Sequence, residues 1–253
     1  MDSFPTWTVA GLWGLLSGTA LVIGASIGYF SKVPQRTIAL IMAFGAGVLI
    51  SALSFELVNE AYKQGSFIST ATGFISGGII YTIANFILSR SGAKHRKRSQ
   101  NQQPSENEDE GSGLAIAVGA LLDGIPEAIA IGLSMIEGGA VSFATVIAIF
   151  ISNLPEGLSS ASGMKKAGRS KTFVFGTWVA IALLTAASAI CGYTIFSHFS
   201  QEVISATLAI AAGAILCMLV DTMIPEAFEN GHDWVGIVTV TGFLIASMLS
   251  KIS

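Results

Sequence analysis

About eight stretches of roughly 20 apolar residues follow one another along this chain, near 7–30, 37–59, 68–89, 113–136, 141–163, 172–197, 203–225 and 233–250. Each has the length an α-helix needs to cross the hydrocarbon core of a bilayer. Lipid offers no partner for backbone N–H and C=O groups, so such spans must close their hydrogen bonds internally, as helices. Composition agrees, because 52% of the 253 residues are hydrophobic and only 11% are charged, about half the charge of an ordinary soluble domain. The expected fold is an all-α membrane protein, a single transmembrane domain over 1–253. Residues 7–30 lack a basic leader and a small-residue cleavage site, so they read as a retained helix.

Alternating eight spans places the connections 31–36, 90–112, 164–171 and 226–232 on one side. They carry Lys32, Arg36, Arg90, Lys94, Arg96, Lys97, Arg98, Lys165, Lys166, Arg169 and Lys171, while Lys63 and Lys251 fall opposite. The positive-inside rule makes the basic side cytoplasmic and puts both termini outside. The one long polar segment, 90–112, joins the basic cluster Lys94-His95-Arg96-Lys97-Arg98 to the acidic Glu106-Asn107-Glu108-Asp109-Glu110. Blocks of like charge with nothing apolar to bury read as a disordered, solvated cytoplasmic loop. Cys191 and Cys217 lie in different spans and read as packing residues, not as a disulfide.

Acids inside the spans are the chemical signal. Glu56, Asp123, Glu127, Glu156 and Asp221 sit in otherwise apolar stretches. A carboxylate at bilayer depth costs several kcal/mol unless it faces a partner, a wet cavity or an ion. Two of them lie in matched segments, Leu122-Asp123-Gly124-Ile125-Pro126-Glu127 and Ser152-Asn153-Leu154-Pro155-Glu156-Gly157. Asp123 and Glu127 are four residues apart and Asn153 and Glu156 three, so each pair shares a helix face. Pro126 and Pro155 each remove a backbone donor and free the carbonyl four residues earlier, at Leu122 and Ile151. Five acids this close would repel strongly unless some are protonated or a cation sits among them. Such a cluster suits a divalent metal, released with the help of protons.

Gly45-Ala46-Gly47-Val48-Leu49 in the second span resembles Ala211-Ala212-Gly213-Ala214-Ile215 in the seventh, and each is followed by Glu-Ala, at Glu60-Ala61 and Glu226-Ala227. The two spans run in opposite directions. The expected architecture is therefore an inverted repeat of spans one to three and six to eight around a central pair, 3+2+3, with the binding site near the midplane.

With these motifs the chain resembles the ZIP (Zrt/Irt-like) family of metal transporters along essentially its whole length. That resemblance implies eight helices in the 3+2+3 arrangement, outward termini, a cytoplasmic loop between the third and fourth helices, and paired His-Asn-x-Pro-Glu-Gly-type motifs in the fourth and fifth. Glu127 and Glu156 match the family's metal-binding acids, Asn153 matches a ligand of its second metal position, and Asp221 falls where an acid is frequent in the seventh helix. Asp123 and Ser152 stand where many members have His, and Gly124 where Asn or Asp is usual, so the site holds no imidazole. An oxygen-only cage favours Mn²⁺, Fe²⁺ or Mg²⁺ more than a His-bearing one would, and carboxylates still accept zinc. Cys217, one turn before Asp221, is a soft ligand only if it faces the passage.

The expected function is transport of a divalent cation of the zinc, manganese or iron class into the cytoplasm. The metal-ligating candidates are Asp123, Glu127, Asn153, Glu156, Asp221, Ser152 and Glu56. The alternative is a non-transporting metal-binding or sensing membrane protein of the same fold, motivated by the missing histidines. No Ser-His or Cys-His constellation and no phosphate-binding glycine loop points to an enzyme. No cofactor is expected; the partners are the metal ions and the lipid bilayer of the plasma (inner) membrane, with a homodimer as an open expectation and no nucleic acid.

Overall fold

The computed structural model describes residues 4–99, 102–105, 107–108, 111–136 and 142–251. Apolar runs give the long helices α1 (Thr6–Phe30), α2 (Gln35–Ala52), α4 (Phe67–Arg90), α5 (Ser112–Ser134), α6 (Phe143–Lys166), α7 (Lys171–Phe196), α8 (Gln201–Met218) and α10 (Val235–Ser250), with short α3 (Asn59–Gln64) and α9 (Ile224–Gly231) between them. Starts are set locally. Ser66, Ser142 and Ser170 cap α4, α6 and α7 by accepting from the backbone N–H three residues on, while Pro5 and Pro34 precede α1 and α2, where a fixed φ favours helix entrance.

Seven helical runs among the described residues are long and apolar enough to cross a membrane. The last, Gln201–Ser250, is 50 residues, which as a straight rod would be about 75 Å. It is not straight: Gly231 ends α9 and His232 takes φ 45°, after which α10 packs along α2 while α8 packs along α4. The sequence divides this run into spans 203–225 and 233–250, and the turn at His232 falls between them. Large side chains on the outer face of α4, such as Ile75, Ile79, Ile83 and Phe86, are exposed, as expected of a surface facing lipid tails.

Helices associating in lipid gain little from apolar burial and rely on close packing through small residues. Here the closest crossings come in corresponding sets. A Cβ on Gly47 of α2 would collide with the Thr239 carbonyl of α10, and one on Gly242 of α10 with the Phe44 carbonyl of α2. Likewise Gly213 of α8 abuts the Phe74 carbonyl of α4, and Gly77 of α4 the Ile210 carbonyl of α8. Gly24 of α1 and Gly157 of α6 meet each other's backbones at Leu154 and Leu21, as Gly132 of α5 and Gly192 of α7 meet those at Ala189 and Ile129.

Two π-turns interrupt the long helices, at Leu53–Val58 after α2 and Leu219–Met223 after α8. Each begins six residues after a packing glycine, at Leu53 after Gly47 and at Leu219 after Gly213. A π-turn adds one residue to a helical turn and so rotates every face beyond it. Glu56 lies in the first and Asp221 in the second.

Candidate metal passage

α5 and α6 carry the central motifs, and both prolines stand inside continuous helix just before the acids. Asp123, Glu127, Ser152, Asn153 and Glu156 are all buried, with Asp123 and Glu127 at 2% and Glu156 at 5% of full exposure. Glu127 lies within electrostatic reach of Glu156, Lys97 and Asp123. The Asn153 amide donates to the Ser17 carbonyl of α1 at 3.1 Å, and the Ser152 hydroxyl donates to the Ile149 carbonyl at 3.0 Å.

Two loop cations, Arg96 and Lys97, enter this carboxylate cluster, which the amino-acid sequence does not foretell. Arg96 grips Asp123 with two parallel bonds, Nε to Oδ2 and Nη2 to Oδ1, both 3.0 Å, the strong planar geometry of a guanidinium on a carboxylate. Tyr81 of α4 donates to Asp123 Oδ1 at 2.6 Å and receives Arg96 Nη2 at 2.8 Å. The Lys97 ammonium lies 2.9 Å from Glu156 Oε2 and 3.3 Å from Asp123 Oδ2. It bridges the two motif helices. Arg98 pairs with Glu226 of α9 at 3.1 Å and also with Glu229.

Burial alone would strip the proton from Lys97, but Asp123 and Glu156 outweigh it and hold its pKa above the ordinary lysine value. Burial likewise disfavours the charge of Arg96, and Asp123 more than restores it. Both therefore stand among the acids as full cations. The solvated-loop expectation for 90–112 does not describe Arg96 and Lys97, which are 2% and 3% exposed. The reason is electrostatic, since buried carboxylates need counter-charges and the adjoining loop supplies them. Of the acidic cluster, Glu106, Asp109 and Glu110 lie outside the described residues.

Two of the expected site residues lie apart from this cluster. Glu56 accepts from Ser142 at 2.8 Å and also from Ser250. Ser142 caps α6 fourteen residues before Glu156, about 21 Å along the helix. Asp221 is exposed. Among the described residues no three His, Cys, Asp or Glu side chains converge closely enough to hold a metal in this arrangement; the space between Asp123 and Glu156 is taken by Lys97. Cys191 and Cys217 are both free thiols. Sequence reasoning missed Glu226, 2% exposed, although Pro225-Glu226 repeats the Pro-Glu pair a third time.

The bundle thus buries opposed carboxylates between two proline-bearing helices. Residues 87–250 match the family described as ZIP Zinc transporter, and the chain belongs to that family. It is also 24% identical over 226 residues to an Arabidopsis thaliana protein named "Putative zinc transporter At3g08650", an alignment covering 88% of this chain and 35% of that protein. The chain thus spans about a third of the length of this curated relative.

Proposed function

We propose that the protein carries a divalent metal ion across the membrane, toward the cytoplasm, through a carboxylate-lined passage between α5 and α6. The observation that carries this reading is the Lys97 ammonium held between Glu156 and Asp123, 2.9 and 3.3 Å away: these facing acids form a place for a cation in the middle of a buried bundle. Glu127 and Glu156 are the main metal ligands, with Asp123, Asn153 and Ser152 beside them. The donors are carboxylate, amide and hydroxyl oxygens, which suit Mn²⁺ or Fe²⁺ and still admit Zn²⁺.

The reading includes eight crossings, with α8 and α10 as separate spans, in a 3+2+3 inverted repeat with both termini outside. Its support is the exchange of partners. Under a pseudo-twofold axis that swaps α1 with α7, α2 with α8, α4 with α10 and α5 with α6, the glycine crossings of α2 on α10 map onto those of α8 on α4. Those of α1 on α6 map onto those of α7 on α5. The paired π-turns map in the same way. Such repeats place the cargo site at the midplane, between the central pair.

The test is Mn²⁺ and Zn²⁺ influx into proteoliposomes containing the protein, its Glu156→Gln and its Glu127→Gln variants. Saturable influx in the wild type, lowered at least tenfold in both variants, is expected. Metal bound by the protein without influx would favour the binding or sensing alternative.

A further inference from the structure

We infer that residues Arg96-Lys97-Arg98 form a tethered plug, an internal cationic strap that occupies the carboxylates of the passage and must withdraw before a metal ion takes its place there. The inference rests on the proposed passage. The basic residues do not merely rest near the acids. Each is paired with acids: Arg96 with Asp123, Lys97 with Asp123 and Glu156, Arg98 with Glu226 and Glu229.

The helices are also shaped to receive the strap, its side chains and its backbone. Gly119 of α5 leaves room for Arg96, whose Cδ would stand 2.5 Å from a Cβ there. At Gly163 of α6 a Cβ would collide with the Arg98 carbonyl and with the Gln103 side-chain amide. The Gln103 amide then staples the strap, donating to the carbonyls of Arg96 at 3.1 Å, Arg98 at 3.0 Å and Ser160 at 3.1 Å. Ser159 donates to the Lys97 carbonyl, and Lys166 donates to the Ser99 carbonyl at 2.8 Å. Glycine at both contact points, an amide that ties the strap to itself and to α6, and an acid partner for every strap cation make a built seat.

The consequence is competition. An ammonium 2.9 Å from Glu156 Oε2 fills a position that a divalent ion bound by Glu156 and Asp123 would need, and like charges side by side in a buried site repel strongly. A strap seated in about 90% of molecules would weaken apparent metal affinity about tenfold, because only the open fraction is competent. Metal binding and strap release are two sides of one equilibrium, so metal must also expose the strap.

Binding of Mn²⁺ to the purified full chain by calorimetry, for wild type, Lys97→Gln and Gly163→Ala, is the first arm. Gly163→Ala removes no charge and no candidate ligand, yet crowds the strap out. Both variants are expected to bind about tenfold tighter than wild type, and Glu156→Gln to cancel the gain. The second arm needs no variant: trypsin cleavage after Lys97 and Arg98 in the wild type, followed by mass spectrometry, should rise several-fold at saturating Mn²⁺. Equal affinities in all three proteins with cleavage unchanged by metal would overturn the plug, while Glu156-dependent binding would leave the passage standing. Metal binding indifferent to Glu156→Gln in every background would overturn both.

Discussion

The hydroxyl of Tyr81 and the carboxylate of Asp123 lie 2.6 Å apart, joining α4 to α5 inside the bundle, and the same carboxylate takes both prongs of Arg96. Tyr81 therefore sits between a fixed acid and a loop cation, donating to one and accepting from the other. Replacing it by Phe leaves the ring volume and deletes two charge-assisted hydrogen bonds, the one given to Asp123 and the one received from Arg96, each worth about 2 kcal/mol. Tyr81→Phe is expected to lower the thermal midpoint in detergent while leaving the helix content intact. An unchanged midpoint would mean that Arg96 and Lys97 satisfy Asp123 without the hydroxyl.

Restoring imidazole should move selectivity. Asp123 and Glu127, and Ser152 and Glu156, stand about one turn apart on α5 and α6, so a His at 123 and 152 can reach an ion bound at the glutamates, as proposed above. In the double variant Asp123→His, Ser152→His a borderline-soft ion gains nitrogen ligands, and hard ions do not. Competition of unlabelled Zn²⁺ against labelled Mn²⁺ uptake should show zinc becoming the stronger competitor. The same rank order in both proteins would place these two positions off the ion's route.

The glycine crossings should be intolerant where backbones touch and indifferent where they do not. Gly213→Val forces a side chain against the Phe74 carbonyl and should cost about 3 kcal/mol or more, at the upper end of overpacking. Gly176 meets nothing within 4 Å, so Gly176→Ala should be neutral or stabilising by about 0.5 kcal/mol through helix propensity. Folded yield by size-exclusion chromatography separates the two. Equal yields would show that the α4–α8 crossing relaxes freely.

Shortening the loop beyond the strap should be tolerated. The Ser112 hydroxyl lies 3.4 Å from the Pro104 carbonyl and 3.5 Å from that of Ser105, so the chain ends flanking 106–110 are already close and the deletion bridges little distance. Deleting 106–110 should leave uptake within about twofold, since a polar linker contributes no core. Deleting 99–110 removes Ser99 and Gln103 as well, and should free the strap. Uptake lost in the shorter deletion would give the acidic segment a role of its own.

The spans were legible because lipid permits so few backbone solutions, and the pairing of Asp123 with Glu127 and Asn153 with Glu156 because three- and four-residue spacings on a regular helix fix a face. Glu56 and Asp221 were not legible in the same way. Both sit in π-turns, whose extra residue rotates the helix and cancels any face read from a period of 3.6 residues. Nor does hydropathy say that Lys97 is buried. Taken alone the basic cluster is a solvated run, and only the uncompensated carboxylates in neighbouring spans give it somewhere to go. Glu226, in the connection after the seventh span, serves the sequence reading only as a landmark, though its Pro-Glu pair matches the other two.

A single missing methyl group at Gly163 gives the strap a signature outside this molecule. Where a related chain carries a branched or even one-carbon side chain at the equivalent of 163, the loop backbone cannot lie against α6 as it does here, whatever basic residues it bears. Lysine in the loop and glycine on the facing helix should therefore be inherited or lost together. Their joint presence would sort relatives whose buried carboxylates are matched by loop cations from those whose carboxylates are not.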